Sequence, residues 1–591
     1  MRPSVILQLA LVACTNALPV RRRLTGFNKS FIRSHPRFIP RDISPSLLES
    51  LSAFTVPSSS MPAATASASS ATSSATFTTV PPTSSISLSA LSFQPTTSSI
   101  HVAAADTSVS VASTSTLPPA SAPSAPPSPS NRTQKFVIAH HIVGNTFPYT
   151  LDNWASDIAL AHANGVDGFA LNVGSDSWQP GQVANAYQAA SQSGTNFKLF
   201  LSFDMSALPC AGPNDAATLR SYITTYAKHP NQLIYKGRVF ASTFSGESCT
   251  FGQSSSVAGW SSQFTQHPDL SGQNAVWFVP AFFVDPNTFG TFNNVMDGVL
   301  NWNSGWPVQL TTNTANSVLA SVGASLSSIV SSITNTVSNT LSQFVNGTTS
   351  DTQFIDGLNK MPSNGEKRSY MAAVSPWFFT HYSPQTFNKN FIYYTDSHLY
   401  PTRWESLMDT RDQIDLVEIA TWNDYGESHY IGPIEGAQPN SQAWTDGMDH
   451  TGWLDMTKYY AEAFKAGAYP PVTKDKLYMW SRPHSRDANA PDPVGKPSNF
   501  QLTEDTVWVV AMTTAPATVT LATSDSNTQT FNVPAGANKL SVPISAGGFM
   551  HGTIQRGGQM VVDLKPEDFT FEGSPGTYNY NAFVAFAGAN S

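Results

Sequence analysis

From Lys135 onward, short apolar runs alternate with stretches whose apolar residues recur every three or four positions. Phe136-Val-Ile-Ala139 opens the series and Asp152 to Ala163 has helical spacing. Gly168-Phe-Ala-Leu-Asn172, a helix around Val183 to Ser191 and Phe197-Lys-Leu-Phe-Leu-Ser-Phe203 continue it. Arg238 to Thr243, Val276 to Ala281, Gly298 to Trp302, Tyr370 to Val374 and Asp415 to Ala420 then supply five more strands, which brings the number to eight. Parallel strands alternating with helices mark an α/β chain, and eight is the number that closes, so the pattern predicts a (β/α)8 TIM-type barrel over residues 135–490.

Two other textures flank this pattern. After about Pro491 come short alternating runs such as Thr506-Val-Trp-Val-Val510 and Met560-Val-Val-Asp-Leu564, broken by Gly, Pro and Asn. They predict an all-β, sandwich-like module over 491–591, which either packs on the barrel or binds carbohydrate. Residues 432 to 490, with Trp444, Trp453, Tyr459, Tyr460, Tyr478, Trp480 and His484, are expected to cap the barrel face. Within the barrel, Val322, Leu326, Ile329, Ile333, Val337, Leu341 and Phe344 predict one amphipathic helix, inserted between the sixth and seventh strands. Before the barrel, residues 18–134 are dominated by Ser, Thr, Ala and Pro. Such a segment cannot bury a core and reads as a disordered stalk or linker.

Met1-Arg2-Pro3, the apolar run Val5 to Cys14 and the small-residue site ending at Ala17 read as a secretory signal, residues 1–17. Export leaves Cys210 and Cys249 in an oxidising compartment, where a disulfide between them is the economical reading. Sequons at Asn28, Asn131 and Asn346 fit the same address. A net charge of -8 argues against nucleic acid, and no later run is long and apolar enough for a membrane span. A soluble, monomeric, exported or wall-associated glycoprotein is expected.

Chemistry in a parallel barrel sits at the C-terminal strand ends. Here those ends carry His140, His141, Asn172, Asp204, Glu247, Asp285, Asn303, Trp377, His381, Asp424 and Glu427. The densest cluster follows the eighth strand, in Trp422-Asn-Asp-Tyr-Gly-Glu427, where two acids stand among aromatics. Glycosidic hydrolysis needs one carboxylic acid and one carboxylate, so Asp424 and Glu427 are the candidate catalytic pair. Asp204 and Glu247 are second-choice acids, more in keeping with sugar contacts. His140, His141, Asn172, Asp285, Asn303, Trp377, His381, Trp422, Asn423 and Tyr425 are candidate substrate contacts. The histidines lack His-x-His or Glu-x-x-His spacing, no Gly-rich phosphate loop follows a strand, and no Gly-x-Ser-x-Gly elbow occurs. No metal and no cofactor is expected.

Phe136-Val-Ile-Ala-His-His141, Asp167-Gly-Phe-Ala-Leu-Asn172, Ser242-Thr-Phe-Ser-Gly-Glu247, Asn301-Trp-Asn-Ser-Gly-Trp-Pro307 and Glu418-Ile-Ala-Thr-Trp-Asn-Asp-Tyr-Gly-Glu-Ser428 together resemble the fungal α-1,3-glucanases. That is the mutanase family, glycoside hydrolase family 71. The resemblance implies secreted, endo-acting, inverting hydrolysis of α-1,3-glucan, with Asp424 and Glu427 as the acid pair and Glu427 favoured as the proton donor. Two other readings fit the residues: a non-catalytic wall-binding or structural glycoprotein, and a glycosidase of other linkage specificity.

Overall fold

A computed structural model describes residues 134–320, 326, 335–362 and 365–589. The signal-like N-terminus, the Ser/Thr/Pro-rich segment and the sequons at Asn28 and Asn131 lie outside them. All eight expected strands form: β1 (Phe136–Ile142), β2 (Gly168–Val173), β3 (Lys198–Asp204), β4 (Arg238–Phe244), β5 (Val276–Phe278), β6 (Gly298–Asn301), β7 (Ser369–Val374) and β8 (Leu416–Ile419). They pair in parallel in the order β5-β4-β3-β2-β1-β8-β7-β6, with the two-residue strand Ile234–Tyr235 added antiparallel to β4. The last strand in sequence therefore lies beside the first, Phe136 opposite Leu416 and Ile138 opposite Glu418, and the sheet curls.

Side-chain parity shows how it curls. Ile138, Ala170, Phe200, Phe240, Trp277, Leu300, Met371 and Leu416, one from each strand, form a single buried cluster on the inner face. The alternate residues, such as Val137, Phe169, Leu199 and Val239, join the larger core under the helices. A strand buried on both faces must be apolar at odd and even positions alike, which is why these segments read as continuous runs. Between β5 and β6 no ladder forms. Two backbone bonds still join their ends, from Asp297 N–H to Phe278 O at 2.8 Å and from Leu300 N–H to Pro280 O at 3.0 Å. Pro280 has no N–H to return.

Cys210, after β3, and Cys249, after β4, form a disulfide with Cα atoms 5.2 Å apart across a separation of 39 residues. Closing a loop of that size removes chain entropy from the unfolded state worth about 4 kcal/mol. The single inserted helix expected around residues 318–345 is instead at least two, Thr312–Ala320 and Asn335–Val345, with residues 321–325 and 327–334 outside those described. Leu319, Leu341 and Val345 bury their side chains against Trp306, Phe378 and Leu399.

The C-terminal part is two four-stranded antiparallel sheets, built on strands 536–543, 506–513, 476–481 and 583–588 and on strands 527–533, 517–524, 551–556 and 559–564. Leu477, Val509, Val519, Leu521 and Ile554, drawn from both, share one core. Strand 476–481 lies inside the first of these sheets, paired on both sides, although it precedes residue 491. It belongs there because Leu477 and Met479 point into the sandwich core while Tyr478 and Trp480 face the larger one.

A buried polar network joins the two parts. Arg482 donates to both oxygens of Asp396 at 3.2 Å, and Trp508 Nε1–H donates to the same carboxylate at 2.8 Å. Glu504 N–H donates to Asp396 at 3.1 Å, and Tyr394 Oη–H donates to the Glu504 carboxyl at 3.2 Å. Burial, and after it the Asp396 charge, push Glu504 up to about 8 against the opposing effects of Tyr394 and Arg482. A carboxyl raised in the folded state contributes stability that is whole below its unfolded pKa of about 4.3 and is lost as pH rises through the folded value. Glu504→Gln should therefore flatten the loss of stability between about pH 5 and about pH 8, read from urea midpoints. An unchanged decline in the variant would remove Glu504 from this role.

Candidate active site

β8 carries the chain into a tight loop, residues 421–428, whose backbone is fastened on every side. Trp422 N–H donates to His140 O at 2.7 Å, Thr421 N–H to His429 O at 2.7 Å, and Phe379 N–H to Glu427 O at 3.0 Å. Asn423 imitates a strand partner for the end of β1: its Oδ1 accepts from Ile142 N–H at 2.7 Å and its amide donates to Ile142 O at 3.1 Å. Within the loop, Asp424 N–H donates to Thr421 Oγ1 at 2.8 Å and Glu427 N–H donates to Asp424 Oδ1 at 3.2 Å. Position 426 must be glycine, since a Cβ there would lie 2.3 Å from Tyr382 Oη. These bonds turn both acids the same way.

The Asp424 and Glu427 side chains are 24% and 21% exposed, open enough for a ligand in otherwise closed surroundings. His429, fully buried, sets Nε2 3.1 Å from Glu427 Oε2 and 3.6 Å from Asp424 Oδ2. Lys389 Nζ donates to Glu427 Oε1 at 2.7 Å. Burial raises Asp424, and the neighbouring Glu427 charge adds to this against the opposing pull of His429 and Lys389. Burial acts upward on Glu427 too, but Lys389 and His429 outweigh it and hold that carboxyl well below the usual range. The surroundings thus drive the two carboxyls apart, Asp424 toward its protonated form and Glu427 toward its ionised one.

One oxygen from each acid and one imidazole nitrogen lie within 4.8 Å of one another. Those three groups are the cation-like convergence among the described residues, but the Lys389 ammonium already puts a positive charge against Glu427. A further cation would meet that charge.

Parity decides the fate of the other candidates. Asp204 ends β3 on the inward register of Phe200, accepts from Ser206 N–H at 3.0 Å and Ser206 Oγ–H at 2.5 Å, and is raised by burial against Ser206, His140 and Lys389. The Lys389 field therefore reaches all three carboxyls. His140, also inward, pairs with Glu418 at 2.7 Å and meets the edge of Trp302 at 4.8 Å, forming the layer beneath the acids. Asn172, inward on β2, is nearly buried, while Glu247 and Asn303 are half-buried. Glu247 accepts from Ser245 Oγ–H at 3.3 Å and Phe283 N–H at 3.4 Å.

The remaining candidates stand elsewhere. His141 faces outward, stacked on Trp154 and paired with Asp157 at 3.1 Å beneath the first helix. Asp285 is exposed and caps a short helix through Asn287 N–H at 2.9 Å. Trp377 is buried, donating to Tyr580 O at 2.8 Å, and His381 is held between Asn390 at 2.8 Å and Asp492 at 2.9 Å. Trp422 and Tyr425 are fully buried, the latter bonded to Pro433 O at 3.0 Å, and Asn423 holds the loop as described.

Four residues around the acids were not among the candidate site residues: Lys389, His429, Trp302 and Tyr393. Trp302 and Tyr393 are half-buried aromatics. Trp302 is ringed by His140, Phe244, Trp306 and His429, while the Glu427 charge reaches the Tyr393 hydroxyl. His429 follows the acid motif directly and Trp302 lies on the inward register of Leu300, so both carried a signal. Lys389 comes from a hairpin, 379–381 with 390–392, that no periodicity announces. A separate cavity of about 500 Å³, lined by Trp306, Phe344, Asp351 and Arg403, lies under the inserted helices. Its charges are spent on each other, Arg403 donating to Asp351 at 2.6 and 2.8 Å.

The family model for glycosyl hydrolase family 71 matches residues 133–591. A glucan endo-1,3-alpha-glucosidase of Schizosaccharomyces pombe is 37% identical over 454 residues, covering 76% of this chain and 94% of that protein. A mutanase of Penicillium rubens is 32% identical, covering 79% of this chain and 92% of its own length. An ascus wall endo-1,3-alpha-glucanase of Schizosaccharomyces pombe is 30% identical, covering 69% and 86%. Since the matched span takes in the curled sheet, the acid-bearing loop and the C-terminal sheets alike, the chain belongs to glycosyl hydrolase family 71.

Proposed function

We propose that this chain is a secreted hydrolase of α-1,3-glucosidic bonds within fungal wall α-glucan. The observation that carries the reading is the unequal carboxyl pair in a half-open aromatic setting: Asp424 raised, Glu427 held ionised by Lys389 and His429. The substrate and the endo mode come from the names of the relatives. The proton donor is Asp424, the reverse of the assignment favoured from sequence, because a group that must give up a proton is better served by surroundings that favour its protonated form.

Spacing bears on the stereochemistry. An inverting pair stands roughly 6.5–9.5 Å apart, with water and the sugar ring between. Asp424 and Glu427 bring one oxygen each within 4.8 Å, which favours an opposing base that stands farther off. The reading that keeps inversion gives that task to Asp204, three strands round the sheet, whose carboxyl burial raises. Glu427 and Lys389 then set the charge around Asp424. Water attacks the anomeric carbon with its proton passing to Asp204, while the bond to the leaving oxygen breaks as Asp424 protonates it.

The same reading takes the curled sheet as a closed barrel, supported by the eight-strand inner cluster and the two bonds between β5 and β6. It also takes residues 1–17 as a signal, 18–134 as a stalk and the enzyme as a monomer. Among the described residues no helix is long and apolar enough to cross a membrane, and Asn346 of the third sequon is exposed.

Incubation with α-1,3-glucan, β-1,3-glucan and starch tests the substrate. Reducing ends should appear from the first alone. Binding without new ends would favour a wall-binding glycoprotein, and release from another glucan a different linkage. Proton NMR of the first product should show the β anomer. An initial α anomer would make Glu427 the nucleophile and remove Asp204 from the reaction.

Asp424→Asn and Asp204→Asn should each lower kcat about 10²–10⁴-fold with unchanged thermal unfolding, as expected for loss of a proton-transfer group. Full activity in either would refute its assignment. Lys389→Met removes a charge that lowers Glu427, Asp424 and Asp204 together. Both limbs of the pH profile of kcat/KM should then move to higher pH, and a stationary profile would make the ammonium merely structural.

A further inference from the structure

Phe147 is the most exposed of the large apolar side chains among the described residues, at 66%. Its exposure is not that of a loose loop. Thr146 N–H donates to Val143 O and Tyr149 N–H to Thr146 O, both at 2.9 Å, which makes a tight turn with Phe147 and Pro148 at its corner. Both flanks of that turn are buried, and Tyr149 Oη–H is anchored on Asp157 at 2.9 Å. Beside Phe147, with ring centroids 5.3 Å apart, stands the half-buried Trp178. Its loop is held by Gly174 N–H donating to Gln179 Oε1 at 2.7 Å and by Gln179 Nε2–H donating to Asp176 at 3.0 Å. An apolar pair displayed on two braced loops is costly in water and calls for an occupant.

Its position says which occupant. Phe147 and Trp178 follow β1 and β2 at the same strand ends as the acids. Asn145 donates to Asn423 O at 2.9 Å, and Phe147 is two residues away, within about 7 Å of chain. The patch is thus continuous with the acid-bearing loop, beside the exposed polar residues Ser175, Asp176 and Ser177. Two rings offer at most about 300–500 Å², below the roughly 1,000 Å² that a stable protein interface needs. Ring faces beside hydroxyl-binding groups suit a neutral sugar, whose C–H face is apolar and whose rim is polar.

We propose that Phe147 and Trp178 form an outlying subsite that holds a glucan chain running on from the cleft, beyond the residues that undergo cleavage. The inference rests on the glucan-hydrolase reading above and adds the place where the extended chain is gripped. The Phe147→Ala/Trp178→Ala double variant tests it. KM for solubilised α-1,3-glucan should rise about tenfold with kcat within about twofold, equivalent to about 1.4 kcal/mol of binding. KM for the shortest oligosaccharide that is cleaved should change less than about twofold, since that ligand does not reach the patch. An unchanged KM on polymer, or equal losses on polymer and oligosaccharide, would overturn the proposal. So would a wild-type dimer, seen by sedimentation and lost in the variant, because the patch would then join two copies.

A wild-type chain that releases no ends from α-1,3-glucan would sink the glucan-hydrolase reading separately. Co-sedimentation of both proteins with insoluble α-1,3-glucan, β-1,3-glucan and starch then decides the subsite. Weaker retention of the variant on one of them supports it, and equal retention removes it.

Discussion

The acid cluster depends on Asn423. Its carboxamide meets the last N–H and C=O of β1 as a neighbouring strand would, and so extends the pairing of β1 with β8 past the point where β8 ends. Each of these bonds contributes about 1 kcal/mol net, but an unpaired buried Ile142 group would cost about 1–3 kcal/mol. With Asn423 seated, Trp422 is driven into the core, and the next two acidic side chains emerge on the open side. The loop is a rigid continuation of the sheet, so the acids are positioned before any ligand arrives.

Burial and charge then divide the work between two carboxyls of similar intrinsic acidity. Low-polarity surroundings raise both, because an ion there loses hydration. The Lys389 ammonium and His429 together reverse the shift for Glu427 and only moderate it for Asp424. Below lies a layer in which His140 pairs with one oxygen of Glu418, and beneath that the apolar inner cluster. The polar groups of the site therefore rest on an apolar floor, which strengthens the electrostatic interactions above it.

Most of the framework was legible before the structure. Eight apolar runs became eight strands in the expected sequence, and Cys210 met Cys249 because both lie just past neighbouring strand ends. The site was legible in part. Asp424 and Glu427 share one opening, yet nothing local distinguished His140, which faces inward, from His141, which faces the helices. A one-residue step in a strand flips the side chain, and register is set by pairing across the sheet. Trp377 and His381 were read as sugar contacts from their place after β7, but the C-terminal sheets and their loops cover them.

The chain alone determined the element types, their order, the close neighbours Asp424 and Glu427 and the cysteine pair, since period, composition and motif are written locally. Tertiary structure decided which candidates share the opening, that Lys389 and His429 join them, and that the two acids are shifted in opposite directions. The reason is physical: a pKa and a side chain's facing depend on what other segments bring within a few ångströms, and Lys389 arrives from a hairpin 38 residues before Glu427.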